Sequence, residues 1–141
     1  MKLLVAIDGS EPSRHAVEAA ARLARQGVEV EALLVNVREG AAYYGELPPF
    51  DHASIEAALR ERQNALLEAA LAQARQSGLR RVGTVAAEGV PAAAIVRLAG
   101  EHAVDGIVMG TRGMNALGGL LLGSVAQRVV HLATVPVTLC R

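Results

Sequence analysis

The chain has 141 residues, a length suited to one hydrophobic core, and we expect a single domain over residues 1–141. Its 14 acidic and 14 basic residues balance, so the excess of positive charge typical of nucleic-acid-binding proteins is absent and we expect no nucleic-acid partner. The first apolar run is too short to cross a membrane, so we expect no membrane insertion. The single cysteine, Cys140, excludes an internal disulfide and is typical of a reducing compartment, which predicts a cytoplasmic protein.

Short apolar runs alternate with helical patterns along the whole chain. The run LLVAI at 3–7 is continuous, as in a strand that is covered on both faces of a parallel sheet. Ser10 and Pro12 then mark the start of a helix, and Gly27 marks its end. In chain order the predicted elements are a strand at 3–7, a helix from about Ser10 to Gly27, a strand at 28–37, a helix at 53–77, a strand at 81–89, a helix at 91–103, a strand at 105–111, a helix at 125–132 and a strand at 135–140.

This alternation predicts an α/β fold with a parallel sheet, helices on both faces and right-handed crossovers. In such a doubly wound sheet, ligands bind beyond the carboxyl ends of the strands, where the strand order reverses. Asp8 follows the first strand, and a glycine-rich loop follows the fourth. The turn-rich connection at 38–52 is longer than usual and is a candidate lid. Its Tyr43 and Tyr44 either cover the pocket or pack locally.

The glycine-rich loop has the spacing Gly110-x2-Gly113-x9-Gly123-Ser124. Glycines let backbone amides approach a ligand closely, and Gly123 and Ser124 stand where the last helix is predicted to begin. A helix N-terminus offers unpaired amides and a favourable dipole to an anion, so the loop predicts a phosphate site. Arg112 is its one charged residue. The sequence has neither a P-loop nor a G-x-G-x-x-G motif after the first strand, and its only lysine is Lys2.

Several of these residues also have purely structural interpretations. Ser124 and Gln127 fit a capping box, so the serine could cap its own helix as well as contact an anion. Asp8 could accept hydrogen bonds in a tight turn, although its place at a strand end favours ligand contact. The leucines of the loop are expected to anchor it to the core; they are Leu117, Leu120, Leu121 and Leu122.

The phrases LLVAIDGS and DGIVMGTRG, the glycine spacing and the closing VPVTLCR together resemble the universal stress protein family, over essentially the whole chain. The resemblance implies a doubly wound, Rossmann-like sheet of five strands in the order 3-2-1-4-5, similar to the adenine nucleotide alpha hydrolase-like folds. It also implies a homodimer formed through the last strand, Val135–Cys140. Family members with the complete glycine motif bind ATP, and this sequence has the complete motif.

Carried over to this sequence, the resemblance implies a nucleotide site. Asp8 would face adenine or ribose, and Val37 would wall the adenine pocket. The sequence departs from ATP-binding members at Arg112, where a histidine can occur, and at Ala126, which replaces a hydroxyl residue. The implied site comprises Ala6, Ile7 and Asp8 beside the nucleoside, Val37 at adenine, Met109, Gly110, Arg112 and Gly113 at the ribose and phosphates, and Gly123, Ser124 and Val125 at the phosphates.

The leading hypothesis is a regulatory module for the stress response that binds ATP, or ADP or AMP, with Mg²⁺ carried by the phosphates. A slow ATPase or phosphotransferase ranks lower, because no general base and no lysine lie near the loop, and we assign no catalytic residue. A third hypothesis is a nucleotide-free dimeric interaction protein. The four histidines lack metal-ligand spacing, so we expect no metal site built from side chains; they are His15, His52, His102 and His131. The sequence does not indicate which protein partner would be regulated.

Overall fold

The computed structural model describes residues 1–39, 49–113 and 122–141. The loop leucines Leu117, Leu120 and Leu121 and the tyrosines Tyr43 and Tyr44 lie outside these ranges. The described elements, in chain order, are β1 (Lys2–Ala6), α1 (Glu11–Arg25), β2 (Glu31–Arg38), α2 (Pro49–Gln76), β3 (Arg81–Glu88), α3 (Pro91–Glu101), β4 (Gly106–Gly110), α4 (Ser124–Leu132) and β5 (Val137–Cys140).

The five strands form a parallel sheet in the order β3-β2-β1-β4-β5, which confirms the predicted fold class. The strand order reverses between β1 and β4, so the carboxyl ends of these two strands flank a crevice. β1 pairs with β2 only as far as Ala6 opposite Val35, whereas β2 continues to Arg38. The end of β2 therefore projects beyond β1 at the crevice.

Apolar side chains alternate between two cores along the central strands. Leu3 and Val5 of β1 pack with α1 and α2, and Leu4 between them packs with α3 and α4. Because both faces of the sheet are covered, the strands read as continuous apolar runs. Among the described residues no helix is long and apolar enough to cross a membrane.

The element boundaries differ from the predictions where a local group interrupts the pattern. The second strand begins at Glu31 rather than at 28, because Val28 N donates to Leu23 O and still closes the end of α1. The last strand begins at Val137 rather than at 135, after Pro136, which has no N–H to donate. The long helix begins four residues early, at Pro49, a residue whose fixed φ suits the first helical position.

Candidate functional site

A cavity of about 590 Å³ lies at the carboxyl ends of β1, β2 and β4. One wall comes from α2, and the other comes from the first turns of α3 and α4. All eleven residues predicted from the sequence line this cavity, namely Ala6, Ile7, Asp8, Val37, Met109, Gly110, Arg112, Gly113, Gly123, Ser124 and Val125. The fold thus brings together segments that are more than 100 residues apart, while the role of these residues in binding stays a prediction.

Asp8 divides its two carboxylate oxygens between two environments. Its Oδ1 accepts hydrogen bonds from the backbone N and the Oγ of Ser10, so one oxygen does hold a turn. Its backbone N donates weakly to Ser13 Oγ, at 3.3 Å. Its Oδ2 lies on the side of Gly113, only 2.7 Å from the place where a Cβ on that glycine would stand. The structural interpretation therefore holds for Oδ1, while ligand contact by Asp8 stays a prediction that concerns Oδ2.

The first turn of α4 has no side-chain cap. Gly123 is the N-cap residue, with φ −73°, and Ser124 is already the first helical residue. The predicted capping box of Ser124 and Gln127 is therefore wrong, and Gln127 N donates to Gly123 O as in any helix. The reason lies in the tertiary structure, where Gly123 N donates to Thr111 O at 2.7 Å and fixes Gly123 at the cap position. No described residue accepts a hydrogen bond from the first amides of α4, as is usual for a helix N-terminus.

The three glycines of the motif differ in why they carry no side chain. A Cβ at Gly110 would lie 2.6 Å from Pro12 Cβ, and one at Gly113 would lie 2.7 Å from Asp8 Oδ2. A Cβ at Gly123 would meet nothing closer than 3.4 Å, at Arg112 Cα, which is an ordinary contact. None of the three has a positive φ. Packing within the described chain thus accounts for two of the glycines but not for Gly123.

The loop and the last strand are joined by short backbone hydrogen bonds. Thr111 N donates to Cys140 O at 2.7 Å, and Thr111 O accepts from Gly123 N. The thiol of Cys140 is half-buried at the sheet edge, and burial raises its pKa, although the nearby Arg22 guanidinium opposes this. A raised pKa leaves the thiol protonated and unreactive near neutral pH, as expected for a packing residue.

Helix α2 contributes a wall that the sequence reasoning did not identify. Leu59, Arg62, Gln63 and Leu66 recur at helical spacing and face the cavity. Leu66 also lies against the turn after β1, since a Cβ on Gly9 would stand 2.6 Å from its Cδ2. The available signal in the sequence was Gln63, an amide at helical spacing from Leu59 and Leu66. In the structure its side chain is 4% exposed.

Five charged residues of the described chain line the cavity, namely Asp8, Arg38, Glu39, Arg62 and Arg112. Arg112 and Arg62 are exposed at its rim and have no ion-pair partner among the described residues. Arg38 is tied down, with Nη1 2.9 Å from Glu56 Oε2 and Nη2 3.3 Å from Glu88 Oε2. Within residues 1–39, 49–113 and 122–141, no three His, Cys, Asp or Glu side chains form a group that could hold a metal ion.

Residues 1–141 match the universal stress protein family. The chain is 34% identical over 146 residues to universal stress protein YxiE of Bacillus subtilis, a match covering 99% of this chain and 98% of that protein. It is 36% identical over 140 residues to a universal stress protein of Thermus aquaticus, covering 99% of this chain and 97% of the relative.

Solved structures show the same architecture. Universal stress protein UspA from Lactobacillus plantarum has a TM-score of 0.85 at 20% identity, over 100% of this chain and 97% of that one. A universal stress protein from Archaeoglobus fulgidus in complex with dAMP has a TM-score of 0.70 at 26% identity, over 100% and 98%. Another, in complex with cAMP, has a TM-score of 0.72 at 25% identity, over 100% and 96%. The chain therefore belongs to the universal stress protein family.

Proposed function

We propose that this chain binds an adenine nucleotide, with ATP as the leading candidate, and that the nucleotide acts as a regulatory ligand. The observation that carries the proposal is Gly123. No described residue gives this glycine a steric reason, and it caps a helix whose first residues, Ser124–Ala126, line the cavity. An incoming phosphate supplies the missing reason, because a side chain at this position would occupy the space of the anion. The dAMP and cAMP complexes of related proteins support an adenine nucleotide.

The cavity suggests how the ligand would lie. The base would sit at the projecting end of β2, against Ile7 and Val37, and the phosphates would reach the first turn of α4. Arg112 would add a guanidinium to a cradle otherwise built from amides and the Ser124 hydroxyl. The volume of about 590 Å³ is within the range of small-molecule sites, roughly 300–1,000 Å³. Mg²⁺ would be held through the phosphates.

We also propose a homodimer formed at β5, where the segment Val135–Cys140 ends the sheet. Pro136 O and Cys140 O accept from Ile107 N and Thr111 N, so the N–H and C=O groups of Val137 and Leu139 point away from β4. Such an open edge is a template for pairing with another strand. Val130 and Leu132 of neighbouring α4 are 48% and 42% exposed, which adds apolar area near this edge. The cytoplasmic location, the single domain and the absence of a nucleic-acid partner stay predictions.

Calorimetric titration with ATP, ADP and AMP in the presence of Mg²⁺ tests nucleotide binding, together with mass spectrometry of any nucleotide that co-purifies. Gly123→Ala is expected to weaken binding at least tenfold, because its methyl group would stand at the phosphate position. Gly100→Ala is the matched control, since Gly100 lies in α3 with nothing within 4 Å of its added Cβ.

The same samples separate the competing functions. No heat of binding with any of the three nucleotides at millimolar concentration would contradict the proposal and favour a nucleotide-free interaction protein. A slow ATPase or phosphotransferase would release phosphate in a single-turnover assay with the wild-type protein but not with Gly123→Ala. Phosphate release that is equal in the two proteins would point to a contaminating enzyme.

A further inference from the structure

Two buried amide side chains join the carboxyl ends of three neighbouring strands beside the cavity. Gln63 of α2 donates from Nε2 to Asn36 O at 3.0 Å and to Ala87 O at 2.8 Å. Asn36 of β2 donates from Nδ2 to Ile7 O at 2.6 Å. The two side chains are 4% and 8% exposed, and both line the cavity.

These contacts fix the orientation of both amides. The partners of each nitrogen are carbonyl oxygens, which only accept, so the NH₂ groups must face them. Both hydrogens of Gln63 Nε2 are used in this way. Within the described residues, no donor contacts Gln63 Oε1 or Asn36 Oδ1, and neither is a fully enclosed unsatisfied atom. Gln63 therefore presents a hydrogen-bond acceptor, and no donor, to the cavity, whereas Asn36 keeps one N–H that no described residue accepts.

We infer that Gln63, whose NH₂ group is held by Asn36 O and Ala87 O, determines base specificity, selecting a purine with an amino group at C6 over one with a carbonyl group there. The inference rests on the proposed nucleotide site and states which base that site prefers. The exocyclic amino group of adenine donates to such an acceptor, whereas the C6 oxygen of hypoxanthine would face it as a second acceptor. Because the Gln63 amide is buried and held by Asn36 O and Ala87 O, it cannot rotate to donate to the base without leaving these carbonyl groups unpaired. Sites built around such hydrogen bonds reject analogues that lack the matching group.

The test compares AMP, IMP and purine riboside 5′-monophosphate, which has only hydrogen at C6, by calorimetric titration of the wild-type protein. AMP is expected to bind at least about tenfold more tightly than IMP, with the unsubstituted purine between them. Equal affinities for AMP and IMP would overturn the inference while leaving nucleotide binding intact. If none of these nucleotides and no ATP binds, the proposed function fails, and this inference fails with it.

Variants separate specificity from a structural role. Gln63→Lys keeps donors for Asn36 O and Ala87 O but presents no acceptor, so the preference for AMP over IMP is expected to fall at least tenfold or to reverse. Gln63→Met, which removes the acceptor at similar volume, should bring the AMP-to-IMP ratio close to one. Gln73→Lys is the matched control, because Gln73 also ties α2 to backbone, at Arg14 O, but lies away from the cavity. A ratio that stays at the wild-type value in both Gln63 variants would assign Gln63 a purely structural role.

Discussion

Two serines near helix starts have opposite roles in this structure. Ser10 Oγ accepts from Ser13 N at 3.2 Å and caps α1. Ser124 is the first residue of α4, does not cap the helix, and lines the cavity. The local sequence does not separate them, because both are serines at the start of a helix. The tertiary contact of Gly123 with Thr111 does, since it places the cap one residue earlier in α4.

The contrast between the serines predicts opposite phenotypes. Ser10→Ala is expected to lower the free energy of unfolding by about 1 kcal/mol, because an orphan amide of α1 loses its acceptor. Ser124→Ala should leave stability within about 0.5 kcal/mol of the wild type, since no capping bond is lost, but should weaken ATP binding. Urea denaturation and calorimetric titration of both variants measure the two effects. A large loss of stability in Ser124→Ala would show that its hydroxyl has a structural role after all.

At the scale of elements, the wall built by α2 is held to the sheet near its start and to α1 just beyond its end. Arg38, with an 11% exposed side chain, bridges Glu56 of α2 and Glu88 of β3. Just beyond the other end, Arg25 of α1 donates to Ser77 O. Arg25 also donates to the carboxylate of Glu18 in α1, and this second hydrogen bond lowers the pKa of Glu18. The position of α2 matters for function, since Gln63 and Leu66 reach the cavity only if the helix lies in this place.

We therefore expect Arg38→Met to cost about 1–2 kcal/mol of folding stability, because Glu56 and Glu88 lose a largely buried partner. Arg97→Met is the control. It breaks the Arg97–Glu101 pair, in which both side chains are about half exposed, and should cost no more than about 0.5 kcal/mol. Midpoints of urea unfolding compare the two. Equal costs would mean that Arg38 does not help to hold α2 against the sheet.

At the scale of the whole molecule, the cradle and the open sheet edge are adjacent. Thr111 bonds to Gly123 on one side and to Cys140 of β5 on the other. A dimer formed at β5 would therefore lie one strand away from the phosphates. If a nucleotide binds at Gly123 and a second chain pairs with β5, both contacts involve backbone that is hydrogen-bonded to Thr111. Nucleotide binding could then be coupled to dimer formation through this residue.

Val137→Pro tests the dimer. It removes an outward N–H from the edge of β5, while the carbonyl groups of Pro136 and Cys140 that hold β5 to β4 remain. Sedimentation equilibrium should give the wild type about twice the monomer mass of 14.7 kDa and the variant the monomer mass. Thr138→Val, which leaves every backbone group of the strand in place, is expected to remain dimeric. A folded Val137→Pro protein that still sediments as a dimer would place the interface elsewhere.

The sequence predicted most of the strands and the location of the candidate site. Continuous apolar runs at 3–7 and 105–111 indicated buried parallel strands, and the rule that ligands lie beyond strand ends joined Asp8 to the loop containing Gly110 and Gly123. The strand order and the proposed nucleotide-site residues were implied by the family resemblance. The strands and the pairing of Asp8 with the glycine-rich loop could be predicted without the resemblance, because they depend on periodicity and on residue types that follow one another along the chain.

Three features required distant contacts. Gln63 meets Asn36 and Ala87 across 27 and 24 residues, so no local pattern could reveal that its amide faces strand ends. The cap of α4 moved to Gly123 because Thr111 holds that residue's N–H. The three glycines of the motif look alike in the sequence and differ only in their spatial neighbours. A Cβ at Gly110 or Gly113 would collide with Pro12 or Asp8, whereas no described residue crowds Gly123. Periodicity is a property of adjacent residues, whereas steric fit and hydrogen-bond partners depend on which segments the fold brings together.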